Sequence, residues 1–255
     1  MAVVAIGDIH GNLAALQDLL AQLRPELRDD DTLVFLGDYI DRGPATRGCI
    51  DTILALCDER PDRVVCLCGN HEDWMLRTRE DHARHSWLMV MDAWATIRSY
   101  SPDAEQLIRA AMRQEGAGLF LSPTPLPYEA FFDAMPDSHH QFFDGLGLTF
   151  EAEGCVFSHA GVDPAVPEFV DQNENALLWG TLGFPHRYTG EATVIYGHWN
   201  NAIRDADGWP HPKILANSIG IDTSAHGVLT AIRLPDRHVF QSAKYPVALD
   251  DEVDA

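Results

Sequence analysis

Short apolar, β-branched runs recur along the first third of the chain, separated by stretches with helical spacing. Val3-Val4-Ala5-Ile6 precedes a segment that sets Leu13, Leu16, Leu19, Leu20 and Leu23 on one helical face. Leu33-Val34-Phe35-Leu36 is followed by Ile50, Ile53, Leu54 and Cys57 at helical spacing. Val64-Val65-Cys66-Leu67 then leads into a helix near Glu72 to Arg79. Strands alternating with helices predict βαβ units and a parallel sheet, an α/β fold. From about 80 to 145 the pattern is helical only. Trp87, Val90, Met91 and Trp94 fall at i, i+3, i+4 and i+7, one apolar stripe that reads as core. Pro123, Pro125 and Pro127 interrupt this segment, which reads as a helical insertion capping the sheet. Strands return at Cys155-Val156-Phe157, Thr193-Val194-Ile195-Tyr196, Val228 to Leu234 and His238 to Gln241. No repeat or low-complexity block divides the chain, so 1–255 reads as a single domain ending in an acidic tail at 250–255.

The apolar runs end alike. Ile6 leads into Gly7-Asp8-Ile9-His10-Gly11-Asn12, and Leu36 into Gly37-Asp38-Tyr39-Ile40-Asp41-Arg42-Gly43. Cys68 leads into Gly69-Asn70-His71-Glu72, Phe157 into Ser158-His159-Ala160-Gly161, and Tyr196 into Gly197-His198. Carboxyl ends of parallel strands share one edge, where open α/β folds bind ligands. Asp8, His10, Asp38, Asn70, His159 and His198 should therefore converge. Any one of them alone would read as a turn residue or helix cap; together they read as ligands. Oxygen and imidazole donors without thiolate suit Mn²⁺, Fe or Zn²⁺, and the set is too rich in nitrogen for Ca²⁺. It exceeds the need of one tetrahedral ion and fits two ions sharing a carboxylate, the arrangement used for displacement at phosphorus. The eight histidines outside these blocks (His82, His85, His139, His140, His186, His211, His226 and His238) lack this placement and read as surface or local packing.

Charge narrows the partners. With 39 acidic residues against 18 basic and a formal charge of −21, the chain is a poor candidate for binding duplex nucleic acid. No apolar run approaches the ~18 residues of a membrane span, and the start lacks a basic segment before its apolar run. The expectation is a soluble, cytoplasmic protein without a membrane partner. The five cysteines show no disulfide spacing. Cys66 and Cys68 could form a metal pair, but their apolar run favours the core.

The blocks G-D-I-H-G-N, G-D-Y-I-D-R-G, G-N-H-E, S-H-A-G and G-H resemble the calcineurin-like metallophosphoesterases, and within them the bacterial phosphoprotein phosphatase branch. The likeness covers residues 1–80 and about 150–235. It implies a four-layer α/β/β/α sandwich of two mixed sheets and two metal ions, usually Mn²⁺. The first ion would be held by Asp8, His10 and Asp38. The second would take Asp38 as bridge with Asn70, His159 and His198. His71 matches the family's general acid, Asp41 the carboxylate orienting it, and Arg42 the arginine that grips phosphate. Asp41 alternatively caps a helix starting near Ala45. The resemblance implies direct attack by a metal-bridging hydroxide on a phosphomonoester, plausibly phosphoserine or phosphothreonine in a protein.

Two departures qualify that expectation. Relatives carry an arginine where Thr181 follows Leu177-Leu178-Trp179-Gly180; Arg187 is the nearest substitute, or else a surface residue. The Gly197-His198-Trp199 form is similar to symmetrical diadenosine tetraphosphate hydrolases, which gives the alternative expectation of anhydride cleavage in a small phosphoester substrate. A non-catalytic scaffold is a third reading, disfavoured because no ligand position is lost.

Overall fold

The computed structural model describes residues 1–116, 118–121, 124–200 and 203–246. The chain begins β1 (Val3–Ile6), α1 (Leu13–Leu23), β2 (Thr32–Phe35), α2 (Thr46–Glu59) and β3 (Val64–Cys66). Helices follow: α3 (Asn70–Glu80), α4 (Ser86–Val90), α5 (Trp94–Tyr100), α6 (Pro102–Glu115), α7 (Gly118–Leu121), α8 (Glu129–Phe132) and α9 (Asp137–Asp144). Next come β4 (Thr149–Ala152), β5 (Cys155–Ser158), α10 (Glu174–Trp179), β6 (Thr193–Tyr196), β7 (Ile203–Arg204) and β8 (Pro210–His211). The last elements are β9 (Lys213–Ile214), β10 (Ser218–Gly220), β11 (Thr230–Leu234) and β12 (His238–Gln241).

Two mixed sheets result, ordered β12-β11-β1-β2-β3 and β4-β5-β6-β10-β9. In the first, β1, β2 and β3 are parallel and β11 runs antiparallel to β1, with Val3 opposite Leu234. In the second, β5, β6 and β10 are parallel, flanked by antiparallel β4 and β9. The period of two along β1 explains the layers. Val3 and Ala5 pack with Val34, Phe157, Ile195 and Ile219 between the sheets. Val4 and Ile6 face the other way, onto Leu16, Leu19, Ile50 and Ile53 of α1 and α2. A strand covered on both faces reads as an unbroken apolar run, which is why β1 and β2 are obvious in the sequence. On the far side of the second sheet, Val194 and Tyr196 pack against Leu177 of α10 and against Phe184.

The strand ends expected to share one sheet edge are thus divided between two sheets. Each sheet turns the carboxyl ends of its parallel strands toward the same place. The seam is tied where Cys68 N–H donates to Gly147 O at 2.7 Å.

One expectation fails in the helical segment. Trp87, Val90, Met91 and Trp94 do not form a continuous stripe: α4 stops at Val90, which is 67% exposed, and α5 begins at Trp94. Asp92 takes a left-handed backbone (φ 55°), and its carbonyl accepts from Arg42 N–H at 3.3 Å. A tertiary hydrogen bond to the loop after β2 therefore interrupts the helix. The expected tail at 250–255, like Pro123, lies outside the described residues. No helix among the described residues is long and apolar enough to cross a membrane.

Candidate active site

The loop after β2 is shaped by a residue that sequence reasoning left unassigned. Glu72, fully buried in the first turn of α3, accepts backbone N–H groups from Asp38 (2.9 Å), Tyr39 (2.9 Å), Ile40 (3.2 Å) and Gly69 (3.0 Å). This carboxylate caps the helix and folds the Asp38 loop around it. The loop comes so close that a Cβ on Gly69 would collide with Asp38 Oδ1. Asp38 also accepts from His71 N–H at 3.3 Å, fixing strand end and helix start together.

Asp38 sits between two groups of imidazoles. Its Oδ2 is 3.4 Å from His10 Nε2 and 3.8 Å from His71 Nε2. Its Oδ1 is 3.4 Å from His159 Nε2. The ligating atoms of His10, Asp38 and His71 lie within 4.8 Å of one another, as do those of Asp38, His159 and His198. Burial opposes ionisation of Asp38, while positive charge on the surrounding imidazoles, His159 foremost, holds its carboxyl well below the usual carboxylate range whenever those rings are protonated.

Tautomers follow from the partners. His10 Nδ1 faces the Ile40 carbonyl at 2.9 Å and His159 Nδ1 the Leu36 carbonyl at 2.9 Å; a carbonyl only accepts, so both Nδ1 atoms carry the proton. Their Nε2 lone pairs then point at Asp38. His10 Nε2 is buried with no hydrogen-bond partner among the described residues. His159 Nε2 is also 2.9 Å from Asn70 Oδ1, lone pair against lone pair, with His198 Nδ1 3.1 Å and 2.9 Å from those two atoms. Burial, with His159 beside it, pushes His198 down to about 3. Burial likewise lowers His10 and His159. Neutral imidazoles crowded on a carboxylate with unshared lone pairs fit cations, and two clusters sharing Asp38 fit two of them.

Asp8 stands beside these clusters. Its carboxylate accepts from His198 N–H at 2.9 Å. Burial, then Asp222 and Asp38, push its pKa well up, as expected of grouped carboxylates that lack a full complement of positive charge. Asp222 is a second residue the sequence reading missed. It follows β10 through Ile221, at a strand end like the others, but Ser218 and Gly220 break the apolar run that exposed them. Left-handed backbone at His10, Asp38, Asp41, Arg42 and His198 (φ 46° to 70°) concentrates strain on the same residues. Such strain persists only where surrounding structure imposes it, as at functional sites.

His71 and Asp41 form a closed pair. His71 Nδ1 is 2.7 Å from Asp41 Oδ2, which also accepts from Trp87 Nε1 at 2.9 Å. The other oxygen accepts from Thr96 Oγ1 at 2.8 Å. Asp41 does not cap α2, whose N-cap is Ala45. Burial pulls His71 down, but Asp38 and Asp41 outweigh it and its pKa rises above the usual imidazole value. Arg42 Nη2 lies 3.4 Å from His71 Nε2. Arg187 is exposed and has no hydrogen bond or ion pair to any of these residues, and Thr181 Oγ1 donates to Val162 O instead. Cys66 and Cys68 stay out of both clusters as free thiols.

The sequence profile described as calcineurin-like phosphoesterase matches residues 1–202. A symmetrical bis(5'-nucleosyl)-tetraphosphatase of Nitrosospira multiformis is 25% identical, over 95% of this chain and 96% of its own. Serine/threonine-protein phosphatase 1 of Salmonella typhimurium is 35% identical over 44% of this chain and 49% of its own. A solved structure provisionally described as a diadenosine tetraphosphatase has the same fold, with a TM-score of 0.62 at 18% identity; the match covers 96% of this chain and 94% of that one.

Proposed function

The chain belongs to the calcineurin-like phosphoesterases, and we propose that within that family it cleaves dinucleoside polyphosphates symmetrically. Membership makes it a metal-dependent phosphoric ester hydrolase; the substrate is our reading. What carries a dinucleotide over a phosphoprotein is extent: the likeness to the symmetrical tetraphosphatase spans 95% of the chain, that to an asymmetrical one of Anoxybacillus flavithermus 91%, and that to the protein phosphatase 44%. The Gly197-His198-Trp199 form favours the symmetrical cut. This reverses the order of the two expectations from sequence.

In this reading Asp8, His10 and Asp38 would hold one divalent ion, and Asp38, Asn70, His159 and His198 another, with Mn²⁺ the first choice. The ions, when bound, supply positive charge at the reacting phosphoryl group and acidify water. Asp38 aims one oxygen at each cluster and so sets their separation. Arg42 offers a planar fork to phosphate oxygens beside His71. Asp41 keeps the proton of His71 Nδ1 in place, so that Nε2 is the atom able to hand a proton to the leaving oxygen. Water adds to phosphorus as the bridging P–O bond breaks, and each half leaves as a nucleoside diphosphate. The free thiols fit a reducing, cytoplasmic setting.

A phosphoprotein substrate is the second reading, favoured by the buried Asp41–His71 pair, since an alkoxide leaving group needs the proton more than a phosphate does. Steady-state kinetics on diadenosine tetraphosphate and a phosphoserine peptide, with Mn²⁺ in excess, separate the two. The proposal expects kcat/KM at least a hundredfold higher for the dinucleotide; the opposite order overturns it.

A further inference from the structure

We propose that the cavity between His10, Arg42 and the segment 242–246 is a subsite for the non-scissile phosphates of a polyphosphate substrate, with Lys244 and His226 as the residues that select it. The inference rests on the substrate class proposed above and deepens it.

The cavity has a volume of about 400 Å³ and is lined by His10, Arg42, His226 and Lys244, with Ile9 and Pro246 among its apolar walls. That is room for part of a small molecule rather than for a folded chain. Acidic residues outnumber basic ones 39 to 18 in this chain, yet no carboxylate appears among the described residues lining it. Lys244 is one of two lysines in the sequence. Neither Lys244 nor Arg42 has an ion-pair partner among the described residues. Burial and then Arg204 hold His226 below the usual imidazole value, with Lys244 adding to them and Asp222, behind the turn, opposing. Two cations, Arg42 and Lys244, thus line one cavity of a strongly acidic protein, contiguous with His10 of the first cluster.

The wall is built to stay in place. Tyr245 N–H donates to Gly227 O at 2.7 Å, and Asn12 Nδ2 donates to Tyr245 O at 2.9 Å. Gly227 has φ 72°, and a Cβ there would stand 2.7 Å from Tyr245 O, so the approach needs glycine. On the other side Asp222 Oδ1 accepts from Ser224 N–H (3.0 Å) and Oγ (2.7 Å), fixing the turn that carries His226. Lys244 is pinned between Asp18, which accepts from Ala243 N–H at 2.7 Å, and the Tyr245 contacts. A phosphoryl group held at Arg42 and the clusters would continue, in a polyphosphate, toward the Lys244 ammonium and the hydrogen-bonding edge of the His226 imidazole. A phosphomonoester on a peptide brings no second phosphate for them to meet.

The test compares kcat/KM for diadenosine tetraphosphate with that for p-nitrophenyl phosphate. Lys244→Ala should lower the ratio about tenfold, Lys244→Arg should recover most of it, and Lys213→Ala, which removes the other lysine, should leave it alone. A ratio unchanged in Lys244→Ala, or lowered equally in Lys213→Ala, overturns the subsite. If the wild-type protein does not turn over the dinucleotide, the substrate reading fails separately. The subsite is then read from ATP as inhibitor of p-nitrophenyl phosphate hydrolysis, with Mn²⁺ held above the nucleotide. A Ki about tenfold higher in Lys244→Ala supports it, and an unchanged Ki overturns it.

Discussion

His71 Nδ1 and Asp41 Oδ2 stand 2.7 Å apart, both buried, with Trp87 and Thr96 holding the carboxylate from its remaining sides. With His71 in its proposed role as proton donor to the leaving oxygen, its loss should depend on how badly that oxygen needs a proton. His71→Asn should slow an alkyl phosphate by roughly 10²–10⁴-fold. It should slow p-nitrophenyl phosphate far less, and Asp41→Asn should show the same selectivity more mildly. Equal losses on both esters, measured side by side, would assign His71 to metal binding.

Asp38 aims its two oxygens at different imidazole clusters. Asp38→Asn keeps the shape and removes the charge. Metal content measured after equilibration with Mn²⁺ should fall from two ions per chain toward one or none, and turnover should drop by at least a thousandfold. Two ions retained at wild-type affinity would remove Asp38 as the bridge.

Glu72 gathers backbone N–H groups from two segments. Glu72→Gln turns an acceptor of four donors into a group that must present an amide to some of them. The expected cost is about 3 kcal/mol, given that a buried donor left without its acceptor costs ~1–3 kcal/mol. Denaturant unfolding should show this, with Mn²⁺ affinity weakened too because the Asp38 loop loosens. Unchanged stability would show that the loop holds its shape without Glu72.

His139 carries a pH signature remote from the metal clusters. Its Nδ1 meets Tyr100 Oη at 2.7 Å and its Nε2 meets Asp51 Oδ1 at 2.9 Å. Burial lowers its pKa despite Asp51. The folded form therefore resists a proton that the unfolded chain accepts near pH 6.5, so stability falls as pH drops through that value and below. His139→Gln should flatten the dependence of unfolding free energy on pH between about 7.5 and 5.5. An identical slope in both proteins would show that other groups set it.

The sequence exposed what burial and local pattern encode. β1 and β2 are apolar on both faces and stood out; β9 and β10 are two and three residues long and carry no readable period. The clustered side chains proposed as ligands were legible because each follows an apolar run, a local signal. Glu72 was not singled out, because its role depends on a loop more than thirty residues away folding onto it. Trp87 read as core and is buried, but its Nε1–H serves Asp41, a partner forty-six positions earlier. His226 had no signal beyond its own turn, because its cavity is completed by a segment from the far end of the chain.

Product analysis in ¹⁸O-labelled water tests the central claim most directly. With Mn²⁺ and diadenosine tetraphosphate, symmetrical hydrolysis predicts ADP as the sole nucleotide product, with one ¹⁸O in half of the ADP molecules. ATP and AMP in equal amounts, or no nucleotide product while a phosphoserine peptide releases labelled phosphate, would contradict it.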